Sequence, residues 1–187
     1  MRIDLAAGTA SGGSAAGDTL SSIENIIGSA YNDTLTGTSA GSELSGQAGN
    51  DLLTGGGGND RLNGGGGNDV LTGGADADVL TGGFGADVFV FRLVSDSAPG
   101  NEDRITDLLS NDFAEGDIVD LSQIDADTFT AGDQAFRMIY SATFTGTAGE
   151  LRFANNVIEG DVNGDGVADL RILVNALPSL APSDFNL

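Results

Sequence analysis

The sequence predicts an all-β protein whose central part is a solenoid of short parallel strands. Residues 28–90 divide without insertion into seven consecutive units of nine residues. Every unit begins with glycine and has a large apolar residue at position eight, and six of the seven have aspartate at position six. A fixed period of this kind is the signature of a repeat architecture rather than of glycine-rich composition alone.

Each unit predicts a tight turn followed by a very short strand. Glycines at positions one, two and four permit positive φ angles and close turns. The last three residues suit a strand whose middle side chain points inward. Two units then complete one coil, so that alternate units stack about 4.8 Å apart, the spacing of neighbouring strands. The inward residues are Leu35, Leu44, Leu53, Leu62, Leu71, Leu80 and Phe89.

This stacking places the position-six aspartates in two columns, one on each edge of the solenoid. The first column contains Asp33, Asp51, Asp69 and Asp87, and the second column contains Asp60 and Asp78. Two unit charges about 4.8 Å apart repel by roughly 0.9 kcal/mol in water, and by several times more at a lower dielectric. A divalent cation between successive turns reverses the sign of this interaction.

Calcium is the cation that these residues favour. Ca²⁺ takes about six to eight oxygen ligands, which carboxylates and the carbonyl groups of a glycine turn supply. Mg²⁺ requires stricter octahedral geometry and retains its waters. Softer metals are disfavoured because the chain has neither cysteine nor histidine.

The units GGGGNDRLN (55–63) and GGGGNDVLT (64–72) resemble the calcium-binding RTX nonapeptide GGxGxDxUx. The resemblance implies a parallel β-roll, as at the C-termini of serralysin-type metalloproteases, RTX toxins, type I-secreted lipases and alginate epimerases. It also implies that several Ca²⁺ ions bind between the turns. The implied ligands in the units are Asp33, Asp51, Asp60, Asp69, Asp78, Asp87, Gly56, Gly58, Gly65, Gly67, Gly74, Gly83 and Gly85.

Residues 1–27 are predicted to form an N-terminal segment that leads into the roll. It contains a strand over Arg2–Leu5 and a loop of small residues over Gly8–Gly17. Extending the nine-residue phase backward places Ile26 inward and Glu24 at the ligand position. The resemblance to the serralysin family implies that Glu24 binds calcium.

Three positions depart from the repeat pattern. Ser42 replaces an acidic residue at position six, so we expect the site that it shares with Glu24 and Asp60 to be weaker. Asp76 stands at position four, where glycine is usual and which aspartate tolerates better than most residues. Asp18 lies out of phase, and a ligand role for it is the less favoured alternative.

The roll is predicted to end within residues 91–99, which complete the predicted span 28–99. This unit has lost its glycines but retains Asp96 at position six, and we expect Asp96 to stack on Asp78. In the serralysin family an Asp-Ser pair and a second aspartate seven residues later hold the last ion. The matching residues here are Asp96, Ser97 and Asp103, and the alternative interpretation is a solvated acidic loop.

Residues 100–187 are predicted to form an antiparallel β cap over the open end of the roll. Apolar clusters between turns, as in QAFRMIY, GELRFA and ADLRILV, are typical of short antiparallel strands. The segment resembles the serralysin C-terminal region in its D-x-I-x-D-F, G-D-x-I-D-L-S and Q-A-F elements, although Leu108 replaces the usual phenylalanine. The terminal SDFNL resembles the type I secretion signal of that family.

The motif DVNGDGVAD (161–169) permits two interpretations. It matches the D-x-N-x-D-G start of an EF-hand loop, with Asp169 at position nine. Position twelve is Ile172, so the bidentate glutamate is missing. The favoured alternative is a polar turn whose Asp and Asn side chains bond to their own backbone.

The composition excludes several function classes. The chain has 28 acidic and 7 basic residues, a net charge of −21. This charge disfavours nucleic acids and anionic membranes as partners. There is no apolar run long enough to span a membrane and no N-terminal signal peptide. A C-terminal export signal would reconcile these features with a secreted, extracellular and monomeric protein.

Three functions compete. The favoured one is a calcium-binding module that folds after passing a type I secretion transporter and that exports and stabilises an attached N-terminal domain. The alternative is a polysaccharide-binding or adhesin module. An enzyme is disfavoured, because the chain lacks the histidine of zinc-protease and Ser-His-Asp sites and the lysine of a P-loop. Any catalytic activity is expected in a domain preceding Met1.

Overall fold

Two sheets of short strands face each other across a row of buried apolar side chains in the computed structural model. The structure describes residues 1–13, 16–108, 116–140, 143–175 and 179–187. The N-terminal half contains β1 Arg2–Asp4, β2 Thr9–Ser11, β3 Asn25–Ile27, β4 Thr34–Thr36, β5 Glu43–Ala48, β6 Leu52–Gly56, β7 Arg61–Gly66, β8 Val70–Gly74, β9 Val79–Phe84 and β10 Val88–Val90. The C-terminal half contains β11 Arg104–Ile105, β12 Ile118–Asp120, β13 Arg137–Met138, β14 Glu150–Ala154, β15 Val157–Asp161, β16 Leu170–Val174 and β17 Phe185–Asn186.

The repeat strands alternate between the two sheets, as the two-unit coil predicts. The first sheet has the strand order β17-β12-β10-β8-β6-β4-β1-β2, and the second has β13-β14-β15-β16-β11-β9-β7-β5-β3. Within each sheet the repeat strands are parallel and in matching register, so that Leu35 lies opposite Leu53 and Leu53 opposite Leu71. The predicted all-β parallel roll is therefore confirmed.

The core consists of two facing rows of inward side chains, one from each sheet. All seven inward residues from Leu35 to Phe89 are fully buried, with 0% exposure. Ile26 continues these rows toward the N-terminus, and Ile105 and Val119 continue them toward the C-terminus. Because each nine-residue unit contributes one such side chain, the core is thin relative to the length of chain that it orders.

The N-terminal segment extends the first sheet beyond the repeats. Strand β1 pairs in parallel with β4, and β2 pairs antiparallel with β1 as the outermost strand. The predicted loop over Gly8–Gly17 therefore contains a strand, since the backbone of Thr9–Ser11 bonds to β1. Strand β3 lies at the edge of the second sheet, in the register that the backward extension of the phase predicts.

Two strands outside the repeats continue the parallel pairing. Strand β11 lies beside β9 in the second sheet, and β12 lies beside β10 in the first. Strands β14, β15 and β16 then form the predicted antiparallel arrangement, joined to the roll through β16 and β11. Parallel pairing thus extends beyond residue 99, while the predicted limits at residues 27 and 99 stay predictions.

The predicted stacking of Asp96 on Asp78 is wrong. The backbone N–H of Asp78 donates instead to Asp103 Oδ1, at 2.9 Å. Asp96 lies in a short 3-10 turn, where its Oδ2 accepts the N–H groups of Arg92 and Leu93 at 2.8 and 3.0 Å. The chain between β10 and β11 is longer than a repeat turn, so the ladder position moves seven residues along the sequence.

None of the described residues forms a helix with the length and apolar character that crossing a membrane requires.

Candidate calcium sites

Each column of aspartates is joined by a repeated hydrogen bond between successive turns. The backbone N–H of one aspartate donates to Oδ1 of the aspartate eighteen residues later. The distances are 2.8 Å from Asp33 to Asp51, 2.7 Å from Asp51 to Asp69 and 2.8 Å from Asp69 to Asp87. In the second column, Asp60 donates to Asp78 at 2.7 Å. One carboxylate oxygen is thus held by a neutral donor, which leaves the other for a different partner.

The second carboxylate oxygens are buried and have no hydrogen-bond donor among the described residues. They are the Oδ2 atoms of Asp51, Asp60, Asp69, Asp78, Asp87 and Asp103. A buried polar atom without a partner costs free energy, and a charged one costs more. Six such atoms in regular columns indicate that a partner outside the chain completes them, and a cation is the partner that a carboxylate requires.

Each position-one glycine lies against two kinds of oxygen atom. Beside Gly46, Asp51 Oδ2 and the carbonyl oxygen of Gly64 both lie within 2.6 Å of the place where a Cβ would stand. The same two kinds of oxygen meet beside Gly64, from Asp69 and Gly82. A carboxylate oxygen and a carbonyl oxygen thus converge between successive turns, an arrangement that a positive ion nearby stabilises.

The structure corrects the reason for glycine at position one. We expected positive φ angles at positions one, two and four, and positions two and four have them, with φ of 117° at Gly56 and 75° at Gly58. No position-one glycine has a positive φ. Glycine is required there because the aspartate oxygen and the neighbouring carbonyl occupy the space of a side chain.

The oxygen-only donor set fits calcium. In the described part of the chain no group of three or more acidic side chains is placed to hold a metal ion. Each ion must therefore also use backbone carbonyls, which Ca²⁺ accepts readily. The glycines predicted to supply them lie in the turns of the two edges: Gly56, Gly58 and Gly74 on one edge, and Gly65, Gly67, Gly83 and Gly85 on the other. Their role as ligands stays a prediction.

Burial of these carboxylates changes their pKa. It raises the pKa of Asp60 and Asp69 to about 6, and that of Asp78 and Asp87 to about 7. It raises the pKa of Asp103 to about 9, and the charges of Asp78 and Asp96 add to the effect. The charged forms are therefore unfavourable in the absence of a cation, and a bound cation would favour them.

The residues that form the two columns match a known family of calcium-binding repeats. The model of the RTX calcium-binding nonapeptide repeat matches residues 18–40, 38–71 and 54–89. This part of the chain is an RTX repeat domain. RTX repeats bind Ca²⁺ at multiple sites, in agreement with the columns of unpartnered oxygens.

Other comparisons add little to this assignment. A search of curated proteins gives no match. One solved structure, the AlgE6R2 subunit of the mannuronan C5-epimerase from Azotobacter vinelandii, is 27% identical over 88% of this chain and 93% of that chain, with a TM-score of 0.40. At that TM-score the similarity supports no conclusion, and the fold rests on the strand register.

The N-terminal end of the second RTX column is incomplete, as the sequence predicts. Glu24 is exposed and lies one turn before Ser42. A cavity of about 500 Å³ is lined by Glu24, Ser42, Glu43 and Asp60 among others. The Ser42 hydroxyl accepts the N–H of Thr38 at 2.9 Å and brings no negative charge to this turn. The weaker calcium binding expected here stays a prediction.

The two remaining candidates lie outside the RTX columns. Asp18 is exposed. In the 161–169 loop, the Asp161 carboxylate accepts the backbone N–H groups of Asn163, Gly164 and Gly166 at 3.2, 2.7 and 2.9 Å. These hydrogen bonds are those of a polar turn, the interpretation that the sequence favours.

Two buried aspartates in the columns were not predicted. Asp117 Oδ1 accepts the N–H of Asp87 at 3.0 Å and so extends the first column. Asp107 accepts the N–H groups of Gly82 and Gly83 at 3.0 and 2.9 Å. A short sequence pattern could have identified Asp117. Asp117-Ile118-Val119, like Asp103-Arg104-Ile105, repeats the D-x-U pattern of a unit without the glycines.

Proposed function

We propose that this chain is the calcium-dependent folding and export module of a secreted protein, and that it stabilises a domain attached at its N-terminus. The observation that carries the proposal is the set of six buried Oδ2 atoms without partners, arranged in two columns. They make the folded roll unfavourable when calcium is absent. Folding is thereby tied to the compartment in which calcium is available.

The thin core makes this dependence strong. One inward residue per nine offsets little of the conformational entropy lost on folding. When a metal site forms only in the folded state, the free energy of metal binding becomes free energy of folding. At low calcium inside the cell, the acidic and glycine-rich chain then stays unfolded and can pass through a type I transporter. Outside, calcium near 10⁻⁴–10⁻³ M, roughly the range of extracellular modules, drives folding.

The module itself is proposed to be non-catalytic. RTX repeats are generally non-catalytic, and the carboxylate pairs of this chain are accounted for as calcium ligands. The proposed ligands are those expected from the sequence, Asp96 and Asp103 included, with Asp103 rather than Asp96 stacked on Asp78 at the end of the second column. Catalytic activity, if the whole protein has any, would belong to the attached domain.

A binding module is the second candidate, because the outer face of the second sheet has a groove. The groove has a volume of about 290 Å³ and is lined by Asn25, Ile27, Glu43, Arg61 and Asn63 among others. Amide and guanidinium groups beside an apolar side chain suit a neutral polysaccharide. The net charge of −21 disfavours an anionic one. Retention on a column of immobilised neutral polysaccharide in the presence of calcium tests this candidate.

Export through a type I transporter tests the favoured proposal. Deletion of Asp184–Leu187 is expected to reduce secretion into the medium while calcium affinity in vitro changes little. The control deletes an equal number of residues at the N-terminus, Met1 to Asp4. Phe185 is buried and pairs with Val119, so these last residues also belong to the fold. Normal export of the short deletion would show that the terminal DFNL is only the end of the last strand.

A further inference from the structure

The second column ends at Asp103, where the backbone hydrogen bonds differ from those of the repeats. Within the repeats, the N–H of Asp60 donates to Asp78 Oδ1, a carboxylate oxygen of the next turn, at 2.7 Å. No further nonapeptide follows Asp103. Its N–H donates instead to the hydroxyl oxygen of Ser97, at 2.8 Å. A neutral serine hydroxyl therefore takes the place of the next carboxylate.

The Ser97 hydroxyl joins Asp103 to the antiparallel strands. Ser97 and Asp103 are both fully buried, with 0% exposure. The hydroxyl accepts the N–H of Asp103 and donates its own hydrogen to the carbonyl oxygen of Arg171, in β16, at 2.6 Å. A serine hydroxyl has one hydrogen to donate, and here a backbone carbonyl receives it. The orientation of the Asp103 backbone thus depends on the position of β16.

Strand β16 lies where the strand of a further turn would lie. It pairs in parallel with β11, and the N–H of Leu173 donates to the carbonyl oxygen of Asp103 at 2.8 Å. One turn earlier, the N–H of Arg104 donates to the carbonyl oxygen of Asp78 at the same distance. The residue before Leu173 is Ile172, where the repeats have aspartate. Strand β16 therefore covers the column without adding a carboxylate to it.

The side chain of Arg171 holds the residue next to Asp103. Its Nη1 lies 2.6 Å from Glu102 Oε1, and its Nε lies 3.2 Å from Glu159 Oε1. The guanidinium thus fixes the residue that precedes Asp103, while the Arg171 carbonyl fixes the Asp103 N–H through Ser97. One residue of β16 therefore acts on Asp103 by two separate routes.

We propose that Ser97 and Arg171 are positioning residues for the last calcium ion of the second column, and that this ion binds tightly only when β16 is docked on the roll. They act through Asp103, whose Oδ2, like that of Asp78, is buried without a partner among the described residues. The proposal rests on calcium binding by the repeats, the function proposed above. It adds that docking of the antiparallel strands and occupancy of the second column depend on each other.

The test measures calcium affinity ion by ion in the full chain. Wild type and Ser97→Ala are titrated with calcium, the folded fraction is isolated by size exclusion at each calcium concentration, and bound ions are counted by native mass spectrometry. Ser97→Ala is expected to bind one ion about tenfold more weakly, the usual effect of removing a group that orients a metal ligand, and the other ions as in wild type. Ser97→Thr retains the hydroxyl and is expected to restore that ion.

Ser122→Ala is the matched control for the loss of a hydroxyl. The Ser122 hydroxyl also makes a short hydrogen bond, 2.6 Å to Asp120 Oδ1, but it bonds to no aspartate of the second column. This variant is expected to bind every ion with the wild-type affinity.

Arg171→Gln separates positioning from electrostatics. It removes a positive charge near Asp103, and that change alone would make calcium bind more tightly. Loss of the contact with Glu102 is expected instead to weaken one ion severalfold. Arg152→Gln is its control, since Arg152 pairs with Glu159 at 2.7 Å on the same sheet. It is expected to leave the affinity of each ion almost unchanged.

The outcomes separate this proposal from the proposed function. If the wild type binds no calcium, both fail. If the wild type binds calcium and Ser97→Ala retains the affinity of every ion, or weakens all ions alike, the positioning role alone is overturned. If Ser97→Ala gives too little folded protein, Arg171→Gln decides. Weaker binding of one ion then supports the proposal, and unchanged or tighter binding overturns it.

Discussion

At the scale of single residues, each ladder aspartate uses its two oxygens differently. Oδ1 accepts a backbone N–H from the preceding turn, while Oδ2 is buried without a partner among the described residues. The first bond joins the turns wherever the roll is folded, but the second oxygen is satisfied only by a proton or a cation. Substitution by asparagine therefore preserves the first bond and removes the charge needed for the second interaction.

An interior aspartate is expected to matter more than one outside the columns. Asp69 lies between Asp51 and Asp87 and is positioned to serve two ions. Asp69→Asn should raise the calcium concentration at the midpoint of folding by about tenfold or more, since loss of even indirect ligand support costs that much. Asp18→Asn should leave the midpoint almost unchanged. Calcium titration followed by circular dichroism measures both, and equal midpoints would contradict the assigned columns.

The raised pKa values predict how the calcium-free chain responds to pH. Burial raises the pKa of Asp78 and Asp87 to about 7 in the folded state, against an ordinary value of 3.8. Between these values the folded state binds more protons than the unfolded state, so the free energy of unfolding falls as pH rises. In EDTA, the chain should be more folded near pH 5 than near pH 8. Far-UV circular dichroism in EDTA at the two pH values measures this, and a larger folded fraction near pH 8 would contradict it.

At the scale of elements, the turns are close-packed at positions one, two and four and open at position three. A Cβ at Gly64 would meet Asp69 Oδ2 and the Gly82 carbonyl, whereas a Cβ at Gly66 would meet nothing within 4 Å. Neither glycine has a positive φ, so the two substitutions differ mainly in the space that they fill.

Gly64→Ala is accordingly expected to raise the calcium midpoint severalfold or to prevent folding, because its methyl group displaces Asp69 Oδ2, a proposed ligand oxygen, and the Gly82 carbonyl. Gly66→Ala, in the same unit, should change the midpoint little. The same calcium titration compares them. Similar midpoints for both variants would show that the position of Asp69 Oδ2 beside Gly64 does not matter for calcium binding.

The repeat strands and turns could be predicted closely from the sequence because every nine-residue unit has the same pattern of glycine, aspartate and apolar residues. Register, inward side chains and both columns follow from the phase of Gly28 to Val90. The phase fails where the glycines end. The longer connection before β11 moves the ladder position from Asp96 to Asp103, and the position of Asp117 depends on the length of the chain between β11 and β12. The local sequence does not indicate how many residues such a connection adds before the next stacked aspartate.

At the scale of the whole molecule, the C-terminal part covers the end of an open column. Ile105 and Val119 pair beside Leu80 and Phe89, the last two inward residues of the repeats. Strand arrays need a terminal unit for stability and solubility, since an uncovered end exposes unpaired backbone and apolar side chains.

Deletion of residues 104–187 is therefore expected to raise the calcium concentration needed for folding, or to abolish folding. Deletion of Met1 to Asp4, which removes only strand β1, is the comparison. The remaining chain keeps all seven repeats in both cases. If the long deletion folds at the same calcium concentration as the intact chain, the C-terminal part does not act as a cap.

The central claim is that calcium, rather than the apolar core, makes the roll stable. Far-UV circular dichroism of the intact chain near pH 8 tests it most directly, first in EDTA and then with millimolar calcium or magnesium. We predict an unfolded spectrum in EDTA, a β spectrum on addition of calcium, and a much smaller change with magnesium. A complete β spectrum in EDTA, unchanged by calcium, would contradict the account.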